Sequence, residues 1–303
     1  MADLGSPPGG MVIVGVPIDS VGAAGPGDAL IGCELMPSVL RSAGIAATIG
    51  VPDEGDMDVR IVGRQLDPVT GMFGWPSVAR VTTAIRARVA AVLRADKLPL
   101  LVGGCCAMVP GAVAGARDVL GPLGLAYVDG HLDLYDAKTS PTREAADMPI
   151  AVIADVGPAP WCEHVGAPLV APERVALLGS ADRREAASLH SRMPEDVGIP
   201  AELPPAAVRA IGPAAAGQQA LNRVGERYWV HLDVDVLDQR EFPATDYPNS
   251  SGLSLNELEG LLRPLVHAPG LAGFSVGCYN PQLDPDGGCA RDLVTLLGSA
   301  LAP

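Results

Sequence analysis

Positive charge is scarce in this sequence. Its 21 Lys and Arg stand against 35 Asp and Glu, for a formal net charge of −14, and the basic residues are scattered rather than clustered. Such a chain offers a phosphate backbone little attraction, which argues against a nucleic-acid partner. Long apolar runs are missing too: no stretch reaches the roughly 18 uninterrupted apolar residues of a membrane-spanning helix. The opening segment, Met1-Ala2-Asp3-Leu4-Gly5, has neither a basic nor an apolar signal region. The expectation is a soluble, cytoplasmic protein with no membrane partner. The six cysteines, at 33, 105, 106, 162, 278 and 289, follow neither a zinc-ribbon spacing nor a secreted disulfide framework, so reduced thiols are expected. No internal repeat and no dividing linker is present, and the Pro-rich stretch 193–205 reads as a surface excursion.

The 303 residues are 48% hydrophobic, enough for one large core. Short continuous apolar runs predict buried strands at Met11–Gly15, Leu98–Val102, 125–128, Val175–Leu178, 228–236 and 274–277. Continuous rather than alternating hydrophobicity belongs to a parallel sheet covered on both faces. Between the runs lie helical patterns. Over 78–93, Val78, Val81, Ile85, Val89 and Val92 recur at helical spacing; over 255–266, Ser254 and Glu257 form a capping box at the start. The fold expected is α/β, a three-layer doubly wound and mainly parallel sheet with helices on both faces. It would form one domain over residues 11–301, behind a flexible N-terminal segment over 1–10.

In such folds ligands bind where strands end, and the polar residues cluster there. Val128 runs into Asp129-Gly130-His131-Leu132-Asp133, Val102 into Gly103-Gly104-Cys105-Cys106, and the strand from Tyr228 into Asp233-Val234-Asp235. Carboxylates with one imidazole suit a hard divalent ion, and a carboxylate with two oxygens can bridge two ions. The competing reading makes these acids helix N-caps and turn residues, a common role for Asp after strands.

These segments resemble the arginase, agmatinase and formimidoylglutamase family. Its pattern runs Gly-Gly-Asp-His-Ser, then Asp-Ala-His-x-Asp, then Ser-x-Asp-Val-Asp-x-Leu-Asp-Pro. Here they stand as Gly103-Gly104-Cys105-Cys106-Ala107, Asp129-Gly130-His131-Leu132-Asp133 and His231-Leu232-Asp233-Val234-Asp235-Val236-Leu237-Asp238-Gln239. Further matches lie at Gly15-Val16-Pro17-Ile18-Asp19, Glu54-Gly55-Asp56, Phe242-Pro243-Ala244-Thr245 and Asn280-Pro281. The resemblance implies a two-metal centre. Asp129 and Asp233 would bridge, His131 and Asp235 would complete one shell, and Asp133 would serve the other ion beside Cys106. In the family a hydroxide shared by two Mn²⁺ ions attacks a guanidinium or amidine carbon. Asp238 reads as a structural cap at the strand end. The family also implies trimers or hexamers.

The departures bear on the substrate. Cys106 replaces a histidine ligand, and as a thiolate it would shift preference from Mn²⁺ towards Zn²⁺ or Fe²⁺; alternatively it is a buried thiol that binds nothing. Cys105 beside it could join a disulfide or serve as another ligand. Cys278 stands where guanidinium hydrolases carry a glutamate that pairs with the cation. No histidine precedes Met148-Pro149 to shuttle protons, Asp246-Tyr247 replaces a small Gly-Thr, and Tyr135 replaces an asparagine. Asp133, Asp147 and Asp246 are the candidate catalytic acids, with Asp147 able to replace the shuttle and Asp246 the cation-binding acid; otherwise the latter two are ordinary loop acids. The expected function is a divergent metallohydrolase with one or two divalent ions, most simply Mn²⁺, cleaving a non-peptide C–N bond in a small amidine-like or guanidino-like substrate. The alternative is a catalytically impaired member with a structural or regulatory role and one residual metal.

Overall fold

The computed structural model describes residues 10–20, 32–63, 65–200 and 202–302. The flexible segment expected over 1–10 lies outside these residues except for Gly10. Eight parallel strands form one sheet: β1 (Met11–Gly15), β2 (Asp53–Asp56), β3 (Leu98–Val102), β4 (Gly124–Val128), β5 (Val175–Leu178), β6 (Glu202–Leu203), β7 (Tyr228–Asp233) and β8 (Leu271–Gly277). Their spatial order is β2-β1-β3-β8-β7-β4-β5-β6.

The continuous apolar runs are explained by what lies above and below the sheet. Val12, Val14, Leu101, Leu125 and Leu177 enter one core, packed by α1 (Trp75–Arg94) and α2 (Val109–Leu120). Their neighbours Ile13, Leu100, Val102, Ala126 and Leu178 enter the other, covered by α3 (Pro213–Val224), α4 (Leu255–His267) and α5 (Gly288–Leu301). Successive residues of a strand face opposite sides, so strands with a core on each face favour apolar residues at consecutive positions. The capping box at α4 forms as expected: the Glu257 N–H donates to Ser254 Oγ at 3.2 Å, and the Ser254 N–H to Glu257 Oε2 at 2.9 Å.

Two strands were not expected from the sequence, and several boundaries shift, with β8 beginning at Leu271 rather than at 274 and β7 ending at Asp233. β2 has the sequence Asp-Glu-Gly-Asp and no apolar run; it sits at the sheet edge, where Arg41 holds Asp53 at 2.6 Å and Asp56 at 2.5 Å. β6 is two residues within the expected surface excursion, paired to β5. The run over 228–236 stops being a strand at Asp233, because that side chain accepts the Asp235 N–H at 2.8 Å and turns 234–236 into a 3₁₀ helix. No described helix is long and apolar enough to cross a membrane.

Candidate metal centre

The four central strands, β3, β8, β7 and β4, each end in a residue of one polar cluster: Cys106 after β3, Cys278 after β8, Asp233 closing β7 and Asp129 after β4. The turn after β3 depends on two glycines at positive φ. A Cβ on Gly103 would lie 2.3 Å from Pro37, and one on Gly104 would lie 2.7 Å from the Val16 carbonyl oxygen. No larger residue fits there, which is how the chain brings Cys106 against the strand ends. Two non-glycine residues at positive φ, Asp133 (51°) and Cys278 (68°), border the same cluster. Each costs on the order of 1–3 kcal/mol, strain that functional sites commonly store.

The cap reading of the acids holds and is compatible with the ligand reading, because each carboxylate divides its oxygens. Asp129 Oδ1 accepts the His131 N–H at 2.7 Å, while its Oδ2 lies 3.6 Å from Cys106 Sγ. Asp233 Oδ1 caps the 3₁₀ turn, and its Oδ2 lies 2.8 Å from the same sulfur. Asp235 Oδ1 accepts the Gly130 N–H at 3.0 Å, with Oδ2 3.0 Å from His131 Nδ1. Backbone donors thus fix three buried carboxylates and leave one oxygen of each facing the cluster.

These oxygens form overlapping donor groups: Asp129 with His131 and Asp235; Cys106 with Asp129 and His231; Cys106 with Asp233 and Cys278. Asp129 belongs to two of them, as a bridging ligand would. Burial, then the Asp235 charge, raises the pKa of both Asp129 and Asp233; burial, then Asp129, pushes Asp133 well above the usual range. No Lys or Arg lines the adjoining pocket among its described residues. Several acids packed without a cation are costly unless a bound divalent ion supplies the charge, so the donor set fits a metal. Against the burial that lowers it, Asp235 and Asp129 push His131 well above its usual pKa, a proton standing where an ion would.

The remaining candidates fall into place around a pocket of about 110 Å³. Asp133 is outside the donor groups; the Tyr127 hydroxyl donates to its Oδ2. Asp147 accepts from Ser140 and Thr142 at 2.5 and 2.6 Å, and burial raises its pKa. Asp246 accepts from Asn280 Nδ2 at 2.7 Å and from the Cys33 thiol at 3.4 Å. All three line the pocket. Asp238 pairs with Arg240 at 2.6 Å, away from the cluster, as a structural cap should. Among the described residues Cys105 joins no disulfide and no donor group; all six cysteines are free, and its sulfur lies 3.3 Å from the Ser20 backbone nitrogen.

Sequence reasoning missed His231, Asp182 and Glu185. Asp182 and Glu185 line the pocket, and burial pushes Asp182 up to about 6. Its position just beyond the end of β5 was the available signal. His231 is wholly buried inside β7, and burial lowers its pKa to about 4; the signal there was a histidine in a motif that usually carries serine.

A sequence model of the arginase family matches residues 10–302. The chain is 27% identical to the arginase of Brevibacillus brevis over 296 residues, covering 95% of this chain and 96% of that one. Among solved structures, the arginase of Bacillus caldovelox superposes with a TM-score of 0.83 at 24% identity, over 97% of this chain and 98% of that one. The formimidoylglutamase of Bacillus subtilis gives 0.73 at 18% identity, over 96% and 86%.

Proposed function

The chain belongs to the arginase family, and from that premise we propose that it is a metal-dependent hydrolase cleaving a C–N bond of a small, cationic amidine-like or guanidino-like molecule. The observation that carries this reading is the pair of donor groups sharing Asp129, set in a pocket whose charged lining is acidic. Divalent ions bound there would lower the pKa of water towards neutrality and stabilise charge at the reacting carbon.

The chain's own residues supply the rest. Asp182, Glu185 and Asp246 give the lining a negative potential that attracts a cation. Asp246, steadied by Asn280, takes over cation pairing from the glutamate position now held by Cys278. Asp147, whose burial favours the protonated form, serves as the acid that gives a proton to the leaving amine. A cavity of about 110 Å³ is below the roughly 300–1,000 Å³ of drug-sized sites and suits a substrate of a few heavy atoms.

The test is a metal measurement joined to a substrate panel. Purified protein, analysed for metal by mass spectrometry and reloaded with Mn²⁺ or Zn²⁺, should release urea or ammonia from at least one guanidino or amidino compound. Metal-loaded protein silent over the whole panel would favour the catalytically impaired reading.

A further inference from the structure

We propose that His231 is a metal ligand, and that with Cys106 and Asp129 it builds a three-ligand position selective for Zn²⁺. This rests on the metal-dependent reading above and goes beyond it, since the family pattern has a serine at 231 and places its imidazole at 106. In this chain the two side chains have in effect traded chemistry: the imidazole rises from inside β7 instead of hanging from the loop after β3.

Three observations carry the inference. The first is spacing. Zinc held tetrahedrally with Zn–S near ~2.3 Å and Zn–N or Zn–O near ~2.0–2.2 Å sets sulfur about 3.6 Å from each other donor. Cys106 Sγ lies 3.2 Å from His231 Nε2 and 3.6 Å from Asp129 Oδ2. Three protein ligands of mixed N, O and S character with an open fourth position is the pattern of catalytic zinc.

The second is the support behind the ring. His231 Nδ1 lies 2.8 Å from Ser275 Oγ, its cross-strand partner on β8. The Trp229 indole N–H donates to the same oxygen at 2.9 Å. When Ser275 accepts from both, its hydroxyl turns to the Val230 carbonyl at 3.5 Å and Nε2 is left as a lone pair aimed at Cys106. Tyr127, the partner on β4, flanks the ring with centroids 4.9 Å apart. A ligating histidine requires its second nitrogen held in this way, which fixes tautomer and orientation.

The third is the division of Asp129. Its Oδ2 faces Cys106, and its Oδ1 lies 3.6 Å from His131 Nδ1 in the neighbouring group. A soft S,N,O position and a harder O,N,O position then share one carboxylate, so the two sites differ in metal preference. Binding at the soft site replaces the Cys106 thiol proton, now directed at Asp233, and releases it to solvent.

The test uses the full chain stripped with chelator and titrated with Co²⁺ as a spectroscopic stand-in for Zn²⁺. Wild type should show thiolate-to-cobalt charge transfer in the near ultraviolet, absent in Cys106→Ser. His231→Ala should weaken binding at this position by more than the ~10–100-fold that loss of an outer-shell partner costs. His231→Gln, nearer in volume, repeats the test if the alanine variant fails to fold. Ser275→Ala should fall within that ~10–100-fold range, and Cys278→Ser should retain the thiolate band, since the Cys106 sulfur remains. Unaltered cobalt binding in both His231 variants, or a loss confined to Cys278→Ser, would overturn the proposal in favour of a Cys106–Cys278–Asp233 site. Stoichiometric metal without a thiolate band overturns it while leaving the hydrolase reading standing. A thiolate band without turnover on the panel supports this proposal and counts against that reading alone.

Discussion

Asp233 receives the backbone N–H of Asp235 on one carboxylate oxygen at 2.8 Å and presents the other to Cys106. The same side chain ends the strand and offers a donor to the centre. That arrangement separates two functions a single substitution can distinguish. Asparagine keeps an oxygen for the cap but brings no charge. Asp233→Asn should therefore weaken metal binding by removing a negative charge beside the centre, while metal-free protein melts no lower than wild type because the amide oxygen keeps the cap. Asp233→Ala should also lose the cap, at about 0.5–2 kcal/mol. Metal analysis and calorimetry of both variants check this; undiminished metal in Asp233→Asn would remove Asp233 from the centre.

Ordinary arginine turnover should be weak. The family resemblance implies that Cys278 stands at the position of a cation-pairing glutamate, and its sulfur lies 3.5 Å from that of Cys106. A neutral thiol cannot replace a bidentate carboxylate partner for guanidinium. Urea release from L-arginine by metal-loaded protein should fall below the ~1–10³ per second typical of enzymes on their own substrates, and a rate inside that range would contradict the assignment.

The metal-free protein should lose stability as pH rises. Burial, with neighbouring charges, raises the folded-state pKa of Asp129, Asp133 and Asp233, and pushes Asp19 up to about 8. Unfolded aspartates titrate near ~3.9. Above that value the native state holds more protons than the unfolded state, so this contribution is complete below about pH 3.9 and declines as pH rises through the folded values. Acids whose pKa is lowered by ion pairs, such as Asp53 and Glu54, titrate at the acid end; His231, lowered to about 4, opposes the trend only up to its unfolded value of ~6.5, one group against several. Calorimetry with chelator should show Tm falling from about pH 5 to about pH 8, and bound metal should remove most of the fall. A metal-free Tm that climbs over this window would refute the account.

The sheet was legible because most of its non-edge strands carry their burial in composition. Leu98–Val102 and Val175–Leu178 are apolar at every position and are buried on both faces. β2 was not legible, since an edge strand built from acids owes its place to Arg41 and to the backbone of β1, neither of which has a local signature. Spacing pointed to acids that the structure brings together, Asp129, Asp233 and Asp235, because a strand end fixes where alternate side chains go, but it also pointed to Asp133, which lies outside the donor groups. His231 shows the limit of that logic. Its role depends on register across three strands, with Tyr127 on one side and Ser275 on the other, and pairing register has no trace in a single apolar run.

That register gives the sharpest prediction, because Cys106 and His231 compete for one space. The Cys106 sulfur is 3.2 Å from the His231 ring nitrogen, and both side chains are buried. Restoring the family histidine by Cys106→His alone would force a second imidazole against the first. Such overpacking costs about 1–3 kcal/mol and gives no well-formed Mn²⁺ position. His231→Ser alone leaves a cavity beneath a lone thiol and should bind metal worse than wild type. The double variant Cys106→His/His231→Ser rebuilds the family arrangement, so it should melt above the Cys106→His single variant and bind Mn²⁺ more tightly than either single. Residues in contact are where additivity fails, with coupling of about 0.5–3 kcal/mol. A thermodynamic cycle over the four proteins, read by thermal unfolding and Mn²⁺ titration, measures that coupling. Effects of the two substitutions that simply add would mean that they do not share a site, and the exchange of imidazole between 106 and 231 would have to be abandoned.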